Sequence, residues 1–282
     1  MNNPLVYADG KYSIDIHDFE EKIVRNKVKL FLLCSPHNPV GRVWTKEELI
    51  RMGDICVRHN VFVVSDEIHA DFVYPGYRHS VFASLKQEYR ERTVTCTAPS
   101  KTFNLAGLQI SNILIPNRGI RDQFQQELVR IGYSQLNTAG LVACQAAYRG
   151  GRPWLEELKR YLAGNLDFIR SFLNERLPQV RLVEPQGTYL LWLDFRGLGL
   201  SSDKLEDLIL NRAKLWLDRG DLFGEEGKGF ERINIACPRA SLEAALLRLE
   251  GAISQSQPIF VPKFDRAATK LSHLPAHGFN FT

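Results

Sequence analysis

The sequence predicts an α/β fold with a mostly parallel sheet, and two observations support this prediction. Short apolar runs rich in β-branched residues alternate, along the first half of the chain, with segments in which apolar residues recur at helical spacing. Each apolar run ends in polar sequence that contains proline or glycine, as the strands of an open sheet end in loops. Strands that alternate with helices in this way are typical of a parallel sheet with right-handed crossovers and helices on both faces.

The first half of the chain supplies the elements of this sheet. Thr45 can form a capping box with Glu48, so a helix should follow to about His59. Strands are predicted at Leu30–Cys34, Val61–Ser65, Thr93–Thr97 and Asn112–Ile115, and further helices at about Arg118–Ile131 and Thr138–Tyr148. The stretch Pro4–Ile23 shows neither the helical nor the strand spacing of apolar residues clearly, and it is interpreted as a linker into the first strand.

The second half predicts a smaller α+β unit. Leucine and isoleucine recur at helical spacing after Arg152 and predict a long helix that ends near Pro178. Shorter strands follow at Val180–Val183, Tyr189–Asp194 and Ile233–Ala236, with helices at about Ser202–Ala213 and Ser241–Ser254. We therefore expect a large domain over residues 1–165, a small C-terminal domain over 166–256 and an irregular tail over 257–282.

Composition excludes several classes of protein. The chain has 282 residues, 44% hydrophobic content and a net charge of +4 at pH 7, which suits a globular core and gives no reason to expect nucleic-acid binding. No apolar run predicts a membrane span, and the N-terminal residues lack the apolar core of a signal peptide. The five cysteines form no disulfide pattern, so we expect reduced thiols in the cytoplasm. Cys34 and His37 resemble half of a metal site, but no second half follows, so we expect no metal.

Polar residues directly follow two of the predicted strands. Asn38 lies in the stretch SPHNPVG after the first strand, and Asp66 and His69 lie in VSDEIH after the second. Ligands of open α/β sheets bind at the carboxyl ends of strands, where a carboxylate can keep the ring nitrogen of a cofactor protonated. The structural alternatives are a plain turn around Asn38 and a helix cap at Asp66.

A lysine and an arginine complete the candidates. Lys101 follows the third strand in APSKTFNLAGLQ, between small and apolar residues that could desolvate its amine and free the lone pair for Schiff-base chemistry. Arg239 follows a strand and a proline in RINIACPRASLE, where a guanidinium can bind a carboxylate with two parallel hydrogen bonds. A surface lysine and an exposed loop arginine are the alternatives.

These segments together carry a family resemblance. Their order resembles that of the class I/II aminotransferase family of fold-type I pyridoxal-phosphate (PLP) enzymes, and within it most closely the cystathionine β-lyase or C–S lyase branch. The resemblance runs from about Asn3 to about Ile253, and its most specific stretches are SPHNPVGRVW, VSDEIHADFVY, APSKTFNLAGLQ, GTYLLWLDFR and RINIACPRASLE. It implies the PLP-dependent transferase fold.

The resemblance also implies how the cofactor, pyridoxal 5'-phosphate, would be held. Lys101 would be the Schiff-base lysine and later the general base at the substrate's Cα. Asp66 would pair with the pyridinium nitrogen, and Asn38 would hydrogen-bond the phenolic oxygen. His69 stands where many relatives have a tyrosine and is a mark of the C–S lyase branch. Ser100 would help to hold the phosphate.

The activity implied by the resemblance is C–S β-lysis of cystathionine or related cysteine S-conjugates to a thiol, pyruvate and ammonia. Arg239 would bind the α-carboxylate of the amino-acid substrate, and Tyr189 would lie near that substrate. A homodimer is implied, with no nucleic-acid or membrane partner. An aminotransferase would use the same residues and is the alternative, since the fold by itself does not decide the reaction.

Two departures from the family pattern concern the phosphate. Ala98 and Gln109 stand where many aminotransferases place a serine and an arginine for this group. Relatives are also longer, so we expect the chain to begin inside the large domain, without the glycine turn that cradles the phosphate and the aromatic residue that stacks on the ring. A truncated, non-catalytic remnant that exposes apolar surface is therefore the third interpretation.

Overall fold

A computed structural model describes residues 1–133 and 135–256 of the chain. The predicted irregular tail, 257–282, lies outside the described residues. These residues form a two-stranded hairpin and two four-stranded sheets with helices packed around them. Within the described ranges, no helix is both long enough and apolar enough to cross a membrane.

The N-terminal segment is folded. β1 (Leu5–Ala8) and β2 (Lys11–Ile14) pair as an antiparallel hairpin, and α1 (Ile16–Arg25) follows it. The carboxylate of Asp15 caps this helix by accepting hydrogen bonds from two backbone N–H groups of its first turn. The predicted linker is therefore wrong, because strands of four residues are too short to show a clear period in the sequence.

The first four-stranded sheet contains the predicted parallel strands. Its elements are β3 (Leu30–Cys34), α2 (Lys46–Arg58), β4 (Phe62–Asp66), α3 (Gln87–Arg90), β5 (Thr93–Thr97), α4 (Pro99–Thr102) and β6 (Asn112–Leu114). The order is β3-β4-β5-β6, with β6 antiparallel to β5 and the other pairs parallel. In register, Asp66 lies opposite Cys34 on one side and Cys96 on the other, so the carboxyl ends of the three parallel strands meet at one edge.

One face of this sheet is well packed. Leu33 and Val63 lie in one buried cluster with Leu49 and Met52 of α2, to which α1 also contributes. The predicted capping box at the start of α2 is confirmed. By contrast, Leu30 and Leu32 of β3 are 49% and 69% exposed, so the described residues leave apolar strand surface uncovered.

The described residues after β6 form three helices and then the second sheet with its helices. In chain order the elements are α5 (Arg118–Arg130), α6 (Thr138–Gly150), α7 (Arg152–Arg176), β7 (Arg181–Val183), β8 (Leu190–Asp194), α8 (Ser202–Glu206), β9 (Asp218–Arg219), β10 (Phe230–Asn234) and α9 (Arg239–Ser256). The sheet is antiparallel, in the order β7-β8-β10-β9. The predicted helix over 202–213 is α8 extended by a π-helical segment, Asp207–Arg212. Helices α7 and α9 contribute to one apolar core with β8.

Contacts between the two halves position the site. The backbone N–H of Gln186, just before β8, donates to the carbonyl of Gly41 at 2.8 Å, and the Gln186 side chain accepts from the N–H of Val43 at 2.9 Å. Gly41 has a φ of +68°, and a Cβ there would lie 3.1 Å from Pro185. Tyr12 of the hairpin joins the same region, since its hydroxyl accepts from the Trp192 indole at 3.1 Å. The loop after β3 is thereby held against the second sheet.

Candidate active site

The ends of the parallel strands bring the sequence-predicted residues together. The N–H of Ser35 donates to the carbonyl of Asp66 at 2.9 Å, which ties the end of β3 to the end of β4. The N–H of Asn38 lies 3.4 Å from the sulfur of Cys34, which fixes the start of the next turn. Lys101 lies in α4, directly after β5. Asn38, Asp66 and Lys101 therefore project from three adjacent strands at the edge where α/β sheets bind ligands.

The carboxylate of Asp66 is available to a ligand. Its side chain is exposed, and its Oδ1 accepts a hydrogen bond from the backbone N–H of Ile68 at 3.2 Å. No lysine, arginine or histidine of the described ranges forms an ion pair with it. The predicted alternative, a helix cap, is only partly met, because Asp66 holds a turn and no helix begins there.

A buried network behind Asp66, not identified from the sequence, fixes the turn that follows β4. Glu67 is 1% exposed and accepts hydrogen bonds from the hydroxyl of Ser65 at 2.9 Å and from the N–H of Phe82 at 3.1 Å. Its second oxygen is 2.8 Å from Nε2 of His79. The acid next to Asp66 in the sequence therefore points away from the ligand edge and holds the turn.

Lys101 presents a free amine. Its side chain is exposed, and no hydrogen bond or ion pair of the amine occurs within residues 1–133 and 135–256. The helix α4 is anchored by Thr102, whose hydroxyl donates to Asp71 at 2.7 Å in the loop after β4. Ser100 is half-buried next to it. The predicted desolvation of the amine is therefore not provided by the described part of the chain.

His69 is the buried imidazole of the site. It is 3% exposed, and its Nδ1 has no hydrogen-bond partner among the described residues. Burial lowers the pKa of His69 to about 4, and the charges of Lys101 and Arg232 act in the same direction. Its ring meets that of Tyr189 edge to face at a centroid distance of 5.9 Å. His69 is thus a neutral ring at physiological pH, and its buried Nδ1 has no hydrogen-bond partner among the described residues.

The buried, neutral state of His69 predicts a pH dependence of stability. The folded-state pKa of about 4 lies below the unfolded value of about 6.5, so the unfolded chain takes up the proton first and stability is lost as pH falls from about 6.5 toward 4. Between about pH 7.5 and about pH 5, wild type should lose about 2 kcal/mol more than His69→Gln. Urea unfolding of both proteins at both pH values measures this difference. Equal losses would contradict it.

The structure places Arg232, rather than Arg239, in this cluster. From β10, its Nη1 donates to Oδ1 of Asn38 at 2.8 Å, and its Nη2 donates to Asp218 at 2.7 Å. The guanidinium lies 4.8 Å from the centroid of the Phe223 ring. Arg232 is not among the residues predicted from the sequence, although it lies in the same RINIACPR stretch as Arg239.

Arg239 has a structural position instead. Its Nε donates to Oδ1 of Asn165 at 2.8 Å, and its guanidinium lies 4.7 Å from the centroid of the Phe168 ring on α7. Its backbone N–H donates to the hydroxyl of Tyr161 at 2.7 Å. Asn165 is fully buried and also donates to the carbonyl of Ile235 at 2.8 Å. Arg239 therefore holds the start of α9 against α7, and none of its recorded partners belongs to the cluster around Asn38.

The chemistry of these groups fits PLP. The edge offers an exposed carboxylate, Asp66, for a ring nitrogen; an unpaired amine, Lys101, for an aldehyde; and an amide, Asn38, for a phenolic oxygen. The buried nitrogen of His69 without a partner points to a further polar contact. For the phosphate, the predicted group in this part of the chain is Ser100. Within the described ranges, no group of three or more His, Cys, Asp or Glu residues is arranged to hold a metal ion.

Known proteins resemble this chain over most of its length. Residues 4–249 match the family model "Aminotransferase class I and II". The cystathionine beta-lyase PatB of Bacillus subtilis is 45% identical over 90% of this chain and 66% of its own, and the protein MalY of Escherichia coli is 38% identical over 87% and 62%. The crystal structure of cystalysin from Treponema denticola, which contains a pyridoxal 5'-phosphate cofactor, has a TM-score of 0.89 at 37% identity and covers 91% of this chain and 65% of its own. The chain thus spans slightly less than two thirds of these relatives.

Proposed function

Because the chain belongs to the class I and II aminotransferase family, we propose that it binds pyridoxal 5'-phosphate at Lys101 and acts as a C–S β-lyase. The observation that carries the proposal is the edge of the parallel sheet, where Asn38, Asp66 and Lys101 lie at adjacent strand ends and Arg232 reaches Asn38 from the second sheet. The predicted α/β fold of PLP-dependent transferases is confirmed by the family match and by the solved relatives. The substrates proposed are cystathionine or related cysteine S-conjugates, which would give a thiol, pyruvate and ammonia.

Each residue of the edge has a task in this reaction. When bound, PLP supplies an electron sink that lets the Cα–H bond of an amino acid break. Asp66 would hold a proton on the ring nitrogen, and Asn38 would donate to the phenolic oxygen through its free amide N–H groups. The amine of Lys101 would take the Cα proton as general base. Because His69 is neutral, its Nδ1 can offer a hydrogen bond without adding charge to the site.

We assign the binding of the substrate α-carboxylate to Arg232 and withdraw Arg239 from this role. The guanidinium of Arg232 lies in the cluster, since it donates a hydrogen bond to Asn38. Its positive charge also acts to lower the pKa of both His69 and Tyr189. A guanidinium held on one side by Asp218 can present its remaining N–H groups to a carboxylate. Tyr189, packed between the rings of His69 and Phe72, would form a wall of the substrate pocket.

The lyase is preferred over an aminotransferase because the 45% identical relative is named a cystathionine β-lyase. The test is to incubate the purified chain with PLP and cystathionine and to measure thiol and pyruvate together, with Lys101→Ala as the control. Thiol and pyruvate in equal amounts, both lost in Lys101→Ala, are expected. Transfer of the amino group to a 2-oxo acid without thiol release would instead support the aminotransferase. No product and no cofactor binding would support the non-catalytic remnant.

A homodimer is also part of the proposal. Apolar side chains of α5, α6 and the segment between them are exposed, among them Val129, Ile131 and Val142 at 72%, 61% and 63%. A patch of this kind is typical of a protein interface, and a second copy of the chain is the proposed occupant. Sedimentation equilibrium should give twice the chain mass. A monomer at micromolar concentrations would refute the dimer.

Two further proposals concern organisation and location. We propose the division into a large domain to about residue 165 and a small domain from 166, which is supported by two separate sheets with separate apolar clusters. Native-state hydrogen exchange should give different opening free energies for the strands of the first sheet and those of the second, and one common value for both sheets would count against the division. The free thiols of all five cysteines support a reducing compartment such as the cytoplasm, which fractionation of the source cells would test.

A further inference from the structure

The second sheet buries a carboxyl group that the proposed reaction does not use. Glu231 lies in β10, opposite Leu193 of β8 and Arg219 of β9, and is 2% exposed. Its Oε2 is buried, and no residue of the described ranges donates a hydrogen bond to it. A buried carboxyl without a donor is destabilising, and native structures usually provide a partner for such a group.

A cavity of about 190 Å³ opens beside Glu231. Ile209, Leu215 and Leu217 give it apolar walls, and Glu231 is one of its lining residues. Two large apolar side chains of its lining, Trp216 and Leu222, are 91% and 71% exposed, so they can close over a ligand. The volume corresponds to roughly six water molecules, enough for one aromatic ring with a charged substituent.

The charges around the cavity favour a cation. Arg219, the arginine of the cavity lining, already pairs with Asp221 at 2.6 Å and also with Glu206. Asp218 of the lining pairs with Arg232 at 2.7 Å. Glu231 remains as the acid without a partner. Burial raises its pKa to about 7; Arg219 opposes this, and the surrounding acids add to it. A bound cation would restore the ionised form of the carboxyl and satisfy its oxygens.

We propose that this cavity is a second ligand site, which binds a small organic cation with hydrogen-bond donors on its charged end and an apolar body. Amidinium, guanidinium and primary ammonium groups have this chemistry. The charged end would bind the carboxylate of Glu231 once this side chain, whose Oε2 is buried, rotates towards the cavity. The apolar body would fill the space between the leucines and Trp216. Asn38, Asp66 and Lys101 do not line this cavity, and a ligand there goes beyond the proposed reaction.

Benzamidine is the probe, with benzamide as the neutral control of nearly the same shape. Benzamidine carries a forked donor that matches a carboxylate and, unlike a primary amine, does not react readily with PLP. Calorimetry at about pH 8 should show saturable binding of benzamidine and none of benzamide. Fluorescence of the exposed Trp216 should change with the same midpoint.

Two substitutions at the cavity and one control substitution locate the binding. Glu231→Gln should weaken the binding of benzamidine at least tenfold at about pH 8. The glutamine resembles the protonated glutamate, so the substitution removes the charge but keeps the shape of the side chain. Asp66→Asn is the matched control, since Asp66 is the exposed carboxylate of the other candidate site, and this variant should bind as wild type does. Trp216→Ala, at a side chain that is 91% exposed, should also weaken binding without affecting the fold.

The pH dependence gives an independent readout. Binding of the cation needs the ionised form of Glu231, so affinity falls as pH drops through the free-state pKa of about 7. Wild type should bind benzamidine roughly tenfold more weakly at about pH 6 than at about pH 8, and Glu231→Gln should lose this dependence. Equal affinity in folded Glu231→Gln, equal binding of benzamide, or an unchanged affinity in Trp216→Ala would each overturn the proposal.

Discussion

Lys101→Ala should abolish cofactor-dependent activity, with kcat/KM lowered by at least about three orders of magnitude. In the proposed function the lysine is both the covalent attachment point of PLP and the general base at Cα, so one substitution would remove both functions. The visible absorbance band that PLP acquires on binding to a lysine should also be missing. Steady-state assays and absorbance spectra of the PLP-treated variant measure the two effects.

The fold of this variant should be unaffected. The side chain of Lys101 is exposed, and its amine has no bonded partner within the described ranges, so its loss should change the free energy of unfolding by less than about 0.5 kcal/mol. Lys46→Ala, at another exposed lysine, is the matched control and should keep both the band and the activity. A PLP band of normal intensity in Lys101→Ala would mean that another lysine binds the cofactor.

Arg232→Gln should have the second largest effect, a loss of about 100-fold in kcat/KM, because the substrate carboxylate loses a charged donor pair. The absorbance of bound PLP should remain, since the arginine is assigned to the substrate and not to the cofactor. Substrate titrations should show most of the loss in KM, as expected for binding energy that is present in both ground state and transition state.

Arg239→Gln separates the two arginines. It should lower kcat/KM by less than about threefold and instead lower stability, because it breaks the bond to the buried Asn165 that holds α9 against α7. Arg232→Lys keeps the charge but not the planar guanidinium that can form two parallel hydrogen bonds. Its kcat/KM should lie between those of wild type and Arg232→Gln. If Arg239→Gln proved the more damaging to KM, the assignment from the sequence would be right and the structural one wrong.

Local sequence signals determined much of the fold. The continuous apolar run Leu30–Cys34 and the run Thr93–Thr97 are strands with the predicted bounds, because apolar and β-branched residues favour the pleated surface of a sheet. The capping box at Thr45 fixed the start of α2. Placing Asn38, Asp66 and Lys101 at strand ends needed only the order of strands and the fact that parallel strands end at the same edge.

Tertiary structure decided what local patterns leave open. The hairpin at Leu5–Ile14 is supported by contacts distant in sequence, such as the hydrogen bond from Trp192 to Tyr12. The local spacing of apolar residues does not indicate such contacts. Arg232 and Arg239 lie in one short stretch, the first in a strand and the second at the start of a helix, and an arginine is compatible with both positions. Which guanidinium reaches the site depends on the pairing of β10 with β8 and on its approach to Asn38, a residue 194 positions away. Such long-range geometry depends on packing. The sequence therefore predicted the stretch that contains the arginine, and only the tertiary structure showed which of its two arginines contacts Asn38.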